Sequence, residues 1–477
     1  MKQVMKRART PLIVTLLTST ALTGCVSYDI KDSIALTNQE AAVFTGGHLE
    51  LARTKRDRAK RLETANQLLT EPLTRDAAVQ LALLNSPSLQ AIIARSWASG
   101  ANAAQSGRIP NPVLSLERLV SADGDTTDVE KFVAFGLLDV LLVPWKQGAA
   151  KRRVEKAKNK LTADVVSEIT DVRNAWTKAV AAQQLEDFAR QVHVSADASA
   201  EMGRRLESVG NFSRLQRARQ QVFYADATIA LATAQHDAIA AREQLIRALG
   251  LSGSQVSALT LPEMLPEIPA LPIQPAEAAA MTNERRLDVR TAKAALDAAM
   301  KAQGIEAVTS FTDVELGYRQ TKGTSDGVSE ELSGYEVDIS LPLFDWGGMK
   351  RDTMNARTIA AANDYDATVG RVSSNMRESY SAYRTGYDIA TFYRDEVVPL
   401  RSLISEENVL QYNGMLIGVF ELLADSRTQI SSVMSAIKAN EQFWMADAAL
   451  QATMIGKPMS ASVGQMAAAG GDGGAGH

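Results

Sequence analysis

The sequence predicts a mostly α-helical chain with a small β part. It is built as two copies of one plan, a β-hairpin followed by a long antiparallel helical hairpin. Three observations predict this. Alanine is abundant and aromatic residues make up only 5% of the chain, which suits long, closely packed helices better than a thick globular core. Proline is absent from Lys146 to Arg205, a helical tract of about 60 residues that would extend about 90 Å. The same succession of segments recurs roughly 200 residues further on, the mark of an internal repeat.

Taken in order, residues 1–24 read as a signal peptide. Lys2, Lys6, Arg7 and Arg9 form a positive n-region, and Leu12 to Leu22 is an apolar stretch too short to span a bilayer. Thr23 and Gly24 precede Cys25, the single cysteine of the 477 residues. Leu-Thr-Gly-Cys resembles a bacterial lipobox rather than an ordinary cleavage site. By that resemblance Cys25 becomes the first mature residue and carries lipid, including palmitate. Val26 beside it favours the outer membrane. The plainer alternative is a signal peptide with an incidental cysteine.

A lipidated N-terminal segment, 25–72, follows, and its stretch LARTKRDRAKRLETANQLL reads as a solvated helix. The first repeat, 73–260, opens with LTRDAAVQLALLNSPSLQA, and the second, 275–457, contains the parallel passage AAAMTNERRLDVRTAKAAL, with Asn85 and Asn283 in corresponding places. A Pro-rich linker, 261–274, joins them, and 458–477 is a Gly/Ala-rich tail expected to be disordered. In each repeat two alternating apolar/polar segments read as strands: NPVLSLERLV with FVAFGLLDV, and FTDVELGYRQ with GYEVDISLPLFDW. The polar stretches SADGDTTD and TKGTSDGVSE read as the loops between them.

Pro144 falls where a helix start tolerates it. Gly210 interrupts the first long tract, and a second helix is expected from Ser213 to Leu249, ended by Gly250. Its apolar residues Leu215, Ala218, Val222, Ala225, Ile229 and Ala232 keep heptad spacing, continued by His236 and Ile239. His236 is therefore read as a seam residue packed on a neighbour, not a ligand. In the second repeat the tract from Met349 to Gln411 should kink or break at Pro399. Gly414 marks the turn, and the last helix runs from Val419 to Ile455 with a looser seam interrupted by Arg427.

Four strands cannot close a membrane barrel alone, because a spanning sheet tolerates no open edge. Three chains giving four strands each would close a transmembrane β-barrel of twelve. In NPVLSLERLV, Val113, Ser115, Glu117 and Leu119 share one face, and Leu114, Leu116, Arg118 and Val120 the other. Arg118 is the misfit of the apolar set, which suggests a place near the membrane interface.

LTRDAAVQLALLNSPSLQA, ESVGNFSRLQRARQQ, VDISLPLFDWGGMKRDTMNAR and QYNGMLIGVFELLADSRTQ together resemble the TolC family of outer-membrane efflux proteins, in its lipoprotein branch. The resemblance covers about residues 73–457 and is specific as a set. It implies a homotrimer, with its β-barrel in outer-membrane lipid and its long helices forming an α-helical barrel, a tunnel in the periplasm. Such a trimer is the passive exit duct of a tripartite efflux system, meeting an inner-membrane pump through a periplasmic adaptor (membrane fusion) protein.

The resemblance also assigns roles. The turns Gly210-Asn211-Phe212-Ser213 and Gly414-Met415-Leu416-Ile417 become adaptor-docking tips, with Phe212, Met415 and Leu416 expected to be exposed. Glu421 and Asp425 become candidates for a periplasmic gate ring, which Arg214 or Arg217 could face across the gate. The sequence departs from the family pattern at Ala424, where an aspartate is frequent, so that Glu421 is the better placed acid. No catalytic residue, cofactor or metal site is read. The four histidines are scattered without partner cysteines, and a net charge of −4 gives no reason to expect nucleic acid. A lipid-anchored periplasmic coiled-coil scaffold would explain Cys25 and the heptads but not the paired hairpins. An enzyme is disfavoured because no nucleophile–base pair or phosphate loop is present.

Overall fold

The computed structural model describes residues 26–122, 126–275, 286–325 and 328–459. Cys25, Asn283 and the C-terminal tail lie outside the described residues. The chain divides into two compact units, one of residues 1–33, 94–161 and 288–370, the other of 34–93, 162–287 and 371–477.

The helices are α1 (Ile30–Glu40), α2 (Ala42–Thr45), α3 (Lys55–Leu68), α4 (Arg75–Asn85) and α5 (Pro87–Gln105), followed by strands β1 (Val113–Val120) and β2 (Thr126–Gly136). Then come α6 (Leu137–Leu141), α7 (Val143–Ser208), α8 (Arg214–Leu249) and α9 (Ser254–Ala258). The second repeat gives α10 (Leu287–Thr309), β3 (Val314–Ser325), β4 (Val328–Ile339) and α11 (Gly348–Phe392), a π-helical turn (Tyr393–Val397), α12 (Val398–Asn413) and α13 (Val419–Ile455). Both expected long helical hairpins are present, α7 with α8 and α11–α12 with α13. α7 runs 66 residues without interruption, with Pro144 in its first turn. Pro399 acts as expected. Lacking an N–H, it cannot continue the α-helical ladder, and the turn immediately before it widens to π geometry.

The strands differ from the sequence reading in four places, the first being that Thr126 to Asp128 of SADGDTTD belong to β2 rather than to a loop. FVAFGLLDV is strand only to Gly136, since alternation ends at Leu137-Leu138 and the chain turns into α6. Most of TKGTSDGVSE is strand rather than loop. Thr321 to Ser325 pair with Glu130 to Thr126 of β2, and this long-range pairing overrides the polar composition. GYEVDISLPLFDW leaves the sheet after Ile339, just before Pro342 would remove a ladder donor.

In the first unit the two hairpins join into one antiparallel sheet of order β1-β2-β3-β4. The central pairing, β2 with β3, links the two repeats, with Glu130 opposite Thr321 and Val133 opposite Tyr318. Beside the sheet a small core of Val26, Ala104, Ala150 and Val154 is packed by Tyr28. Arg152 on α7 pairs with Asp297 on α10 at 3.3 Å.

The second unit holds the larger core. Trp176 and Ile169 are fully buried on α7, Leu81 and Leu83 on α4, and Phe443 and Leu450 on α13. Asn85 donates to the carbonyls of Leu249 and Gly250, satisfying the C-terminal end of α8. Gly250 caps that helix at φ 67, and a Cβ there would stand 2.3 Å from the Pro87 ring. The Pro-rich linker is tied down rather than loose. Tyr387 donates to the Ala270 carbonyl, Tyr380 to that of Ile273, and Trp444 to that of Pro266.

A buried ionic network crosses this core. Arg75 donates to Asp447 at 3.4 Å, and Gln451 donates to the same oxygen at 2.8 Å. Arg173 donates to Gln451 at 3.0 Å and to the Phe44 carbonyl at 2.6 Å. Burial pushes the Arg173 guanidinium down to about 10, with Arg75 adding repulsion and Asp447 opposing it. Burial likewise pushes the Asp447 carboxyl up, against the pull of Arg75, Gln451 and Arg173.

Replacing Asp447 by Ala leaves the buried Arg173 and the half-buried Arg75 without the carboxylate that offsets their charge, and should cost about 3–5 kcal/mol. Gly250→Ala should cost roughly 2–4 kcal/mol, from left-handed strain together with the clash on Pro87. Both are read as lowered denaturation midpoints.

Candidate functional site

Two surfaces carry the candidate chemistry, the faces of the sheet and the two helical turns. The register sorts the side chains of the sheet. One face carries Glu117, Asp128, Glu130, Glu315, Glu330, Glu336 and Asp338, with Arg319 among them. Arg319 forms ion pairs with Glu130 and Glu336, and its guanidinium lies 4.9 Å from the Phe132 ring. The opposite face presents Leu114, Leu116, Val133 and Phe135 on the first hairpin and Tyr318, Val337 and Ile339 on the second, all exposed in the single chain. Tyr318 and Tyr335 face each other across β3 and β4 with ring centroids 5.6 Å apart. The apolar surface continues below the strands through Leu141, Trp145, Leu341, Phe344 and Trp346, with Phe344 99% exposed. An exposed apolar sheet face of this extent needs a cover.

The turns at the ends of α7 and α12 share one backbone design. Gly210 N–H bonds to the Glu207 carbonyl and Asn211 N–H to that of Leu206; Met415 N–H bonds to Tyr412 and Leu416 N–H to Gln411. Each is a Schellman motif. The sequence reading assigned the sharp reversal of the second turn to Gly414, but Gly414 is at φ −77 and Met415 takes the left-handed conformation at φ 58. Met415 therefore corresponds to Gly210, at φ 81, and is the one non-glycine residue at positive φ among those described. Ser213 caps α8 and forms a capping box with Gln216, whereas Gly418 in the same place on α13 offers no side chain.

Exposure of the tip residues is uneven. Met415 is 93% exposed and Leu416 78%. Phe212 departs from expectation: it is half-buried and packs back toward Gly203 on its own hairpin. Ile417 is also half-buried.

No protein-family model and no curated protein matches this chain. Solved structures do. The outer membrane protein VceC from Vibrio cholerae superposes with a TM-score of 0.66 at 15% identity, covering 83% of this chain and 96% of VceC. The Campylobacter jejuni CmeC outer membrane channel gives 0.67 at 12%, covering 86% and 89%, and the Neisseria gonorrhoeae MtrE outer membrane channel, solved in its open state, gives 0.63 at 17%, covering 79% and 88%. The fold is that of the TolC-family channels.

Within one chain the four charged candidates for a gate make no ion pair with one another. Glu421 is exposed in the first turn of α13. Asp425, one turn on, is half-buried, and its Oδ2 is enclosed without a partner in the chain. Arg217 pairs with Glu207 across its own turn at 2.7 Å instead of facing the acidic side, and Arg214 is exposed. Arg427, which the sequence marked only as a break in a seam, reaches from α13 to α8. Its guanidinium lies 3.9 Å from the Phe223 ring and reaches Gln220 at 3.5 Å. Burial lowers its pKa, against the pull of Asp226. No motif marks this role; the clue available was a charge at an apolar heptad position.

The seam of α8 finds no cover within its own chain: Leu215, Val222, Ile229 and Ile239 are 58–67% exposed, and His236 is exposed as well. α8 buries Gln220, Ala227, Ala238, Leu245 and Leu249 within the chain instead.

The left-handed conformation of Met415 carries a steric cost that glycine avoids, roughly 1–2 kcal/mol. Met415→Gly should slow hydrogen exchange at the Leu416 amide and stabilise the turn by about 1 kcal/mol, and Gly210→Ala should weaken the first turn by a similar amount.

Proposed function

We propose that this protein is an outer-membrane channel of the TolC family, working as the passive exit duct of a tripartite efflux system. The observation that carries the reading is the four-stranded sheet. It has an apolar, exposed face, an acidic opposite face, and outer edges at β1 and β4 that no strand of the chain covers among the described residues. An edge in hydrocarbon leaves backbone groups unsatisfied, so a spanning sheet has to close. Three copies give twelve strands, with the carboxylates turned to a watery lumen and the leucines, valines and tyrosines to lipid. Strands of 11 and 12 residues are long enough to cross a bilayer when tilted.

In this reading the exposed stripe Leu215, Val222, Ile229 and Ile239 packs on a helix of the next protomer, which accounts for a heptad pattern with no partner in its own chain. Met415 and Leu416 form the adaptor-facing tip, with Gly210, Asn211, Ser213 and Gly414 shaping the turns and Phe212 and Ile417 bracing them. Glu421 and Asp425 belong to the periplasmic constriction of the trimer. Arg217 is held off by Glu207, and Arg214 remains as the basic residue facing the constriction. Cys25 anchors the mature chain in the outer membrane through its lipid. The pump is reached only through the adaptor.

Purified full-length protein in planar bilayers should conduct, and electron microscopy should show a three-fold hollow particle. A solid monomer or dimer without conductance would sink the reading in favour of an anchored scaffold. A Val222→Glu, Ile229→Glu double variant should remain monomeric by light scattering, since it would bury unpaired carboxylates between protomers. Cys25→Ala should abolish incorporation of labelled palmitate.

A further inference from the structure

The outward face of the sheet carries one group of charges that lipid hydrocarbon would not tolerate. Arg118 on β1, Val129 on β2 and Lys322 on β3 stand abreast, and Lys131, two residues along β2 from Val129, points to the same side. With strands about 4.8 Å apart, Arg118 and Lys322 are about 10 Å apart across the sheet and Lys131 lies within about 8 Å of each. All three are exposed, and none has an ion-pair partner among the described residues. Glu331, the acid on this face, stands opposite Lys322 and accepts a hydrogen bond from Gln320.

Their level is specific. Tyr318 and Tyr335 sit nearer the helices, and Lys131 and then Arg118 and Lys322 follow toward the hairpin loops. Apolar rows, then an aromatic pair, then cations is the order in which a protein surface meets a membrane interface from the hydrocarbon outward. The opposite face of the same strands is acidic and its one cation, Arg319, is paired with Glu130 and Glu336, so the cations without an ion-pair partner lie on one side.

We propose that Arg118, Lys131 and Lys322 form a phosphate-binding collar on the outside of the barrel, which takes the headgroup of an anionic, phosphorylated lipid of the outer leaflet. The proposal rests on the membrane-barrel reading above. Two or three cations within about 10 Å match a headgroup carrying more than one phosphate. Three such collars per trimer would fix the barrel's depth and ring it with ordered lipid.

The test uses full-length protein in nanodiscs and a bis-phosphorylated, acylated glucosamine disaccharide as the probe, with lipid binding counted by native mass spectrometry. Each basic residue near an anionic headgroup contributes about fivefold, so R118Q/K131Q/K322Q should bind on the order of 100-fold more weakly than wild type. The charge-keeping R118K/K131R/K322R should retain binding. Wild-type protein alone, needing no substitution, should prefer the phosphorylated lipid to its dephosphorylated form.

Equal binding of the two lipids, or undiminished binding by the glutamine variant, would overturn the collar. So would inorganic phosphate competing as well as the lipid, which would mark an adventitious ion only. Electron microscopy of the same preparation separates the two failures: a three-fold hollow particle without phosphate preference loses the collar alone, and a solid particle loses the barrel and the collar together.

Discussion

A backbone hydrogen bond that cannot be made within one chain governs this structure. The outer edges of β1 and β4 present N–H and C=O groups that no strand among the described residues covers, while one sheet face is too apolar for water. Each condition alone has a cheap remedy, a charged edge or a covering helix. Together, in a sheet wide enough to span a bilayer, they leave closure with further copies as the consistent solution. The duplication within the chain serves the same end, because β2 pairs with β3 and so welds the hairpins of the two repeats into one unit of the wall.

The helical part answers a different constraint. Long helices contribute little on their own, and most of their stability comes from the stripe they bury. α7 buries Trp176, Leu161 and Ile169 within the second and first units, whereas α8 buries mainly its C-terminal third and leaves an apolar stripe bare nearer the turn. The buried Arg173–Gln451–Asp447–Arg75 network is weak evidence of net stability, since desolvation opposes ion pairing there. Its effect is geometric, since it ties α4, α7 and α13 to the Phe44 carbonyl by directional bonds.

Much of this was legible in the sequence for identifiable reasons. Helix ends could be read because they depend on local chemistry: Ser213 with Gln216 starts α8, Gly250 ends it, and Pro399 disrupts the ladder before it. Strand ends were less legible because pairing across roughly 190 residues of sequence decides them, as in Thr321 to Ser325. The turn at Met415 escaped because a glycine stood next to it and local propensity points to the glycine; the hydrogen-bond pattern places the left-handed residue one position later. The burial of Phe212, the pairing of Arg217 with Glu207 and the position of Arg427 over Phe223 each depend on a neighbouring helix, which periodicity does not reveal.

The π turn before Pro399 has a consequence for the helix that follows. A π turn takes up an extra residue without adding the corresponding rotation, so it acts as an insertion in the helical phase. A stripe drawn along α11 on an ideal wheel does not continue into α12 at the same numbers. Residues of α12 therefore present a face offset from the one their spacing from α11 suggests, and the heptad count starts afresh at Val398.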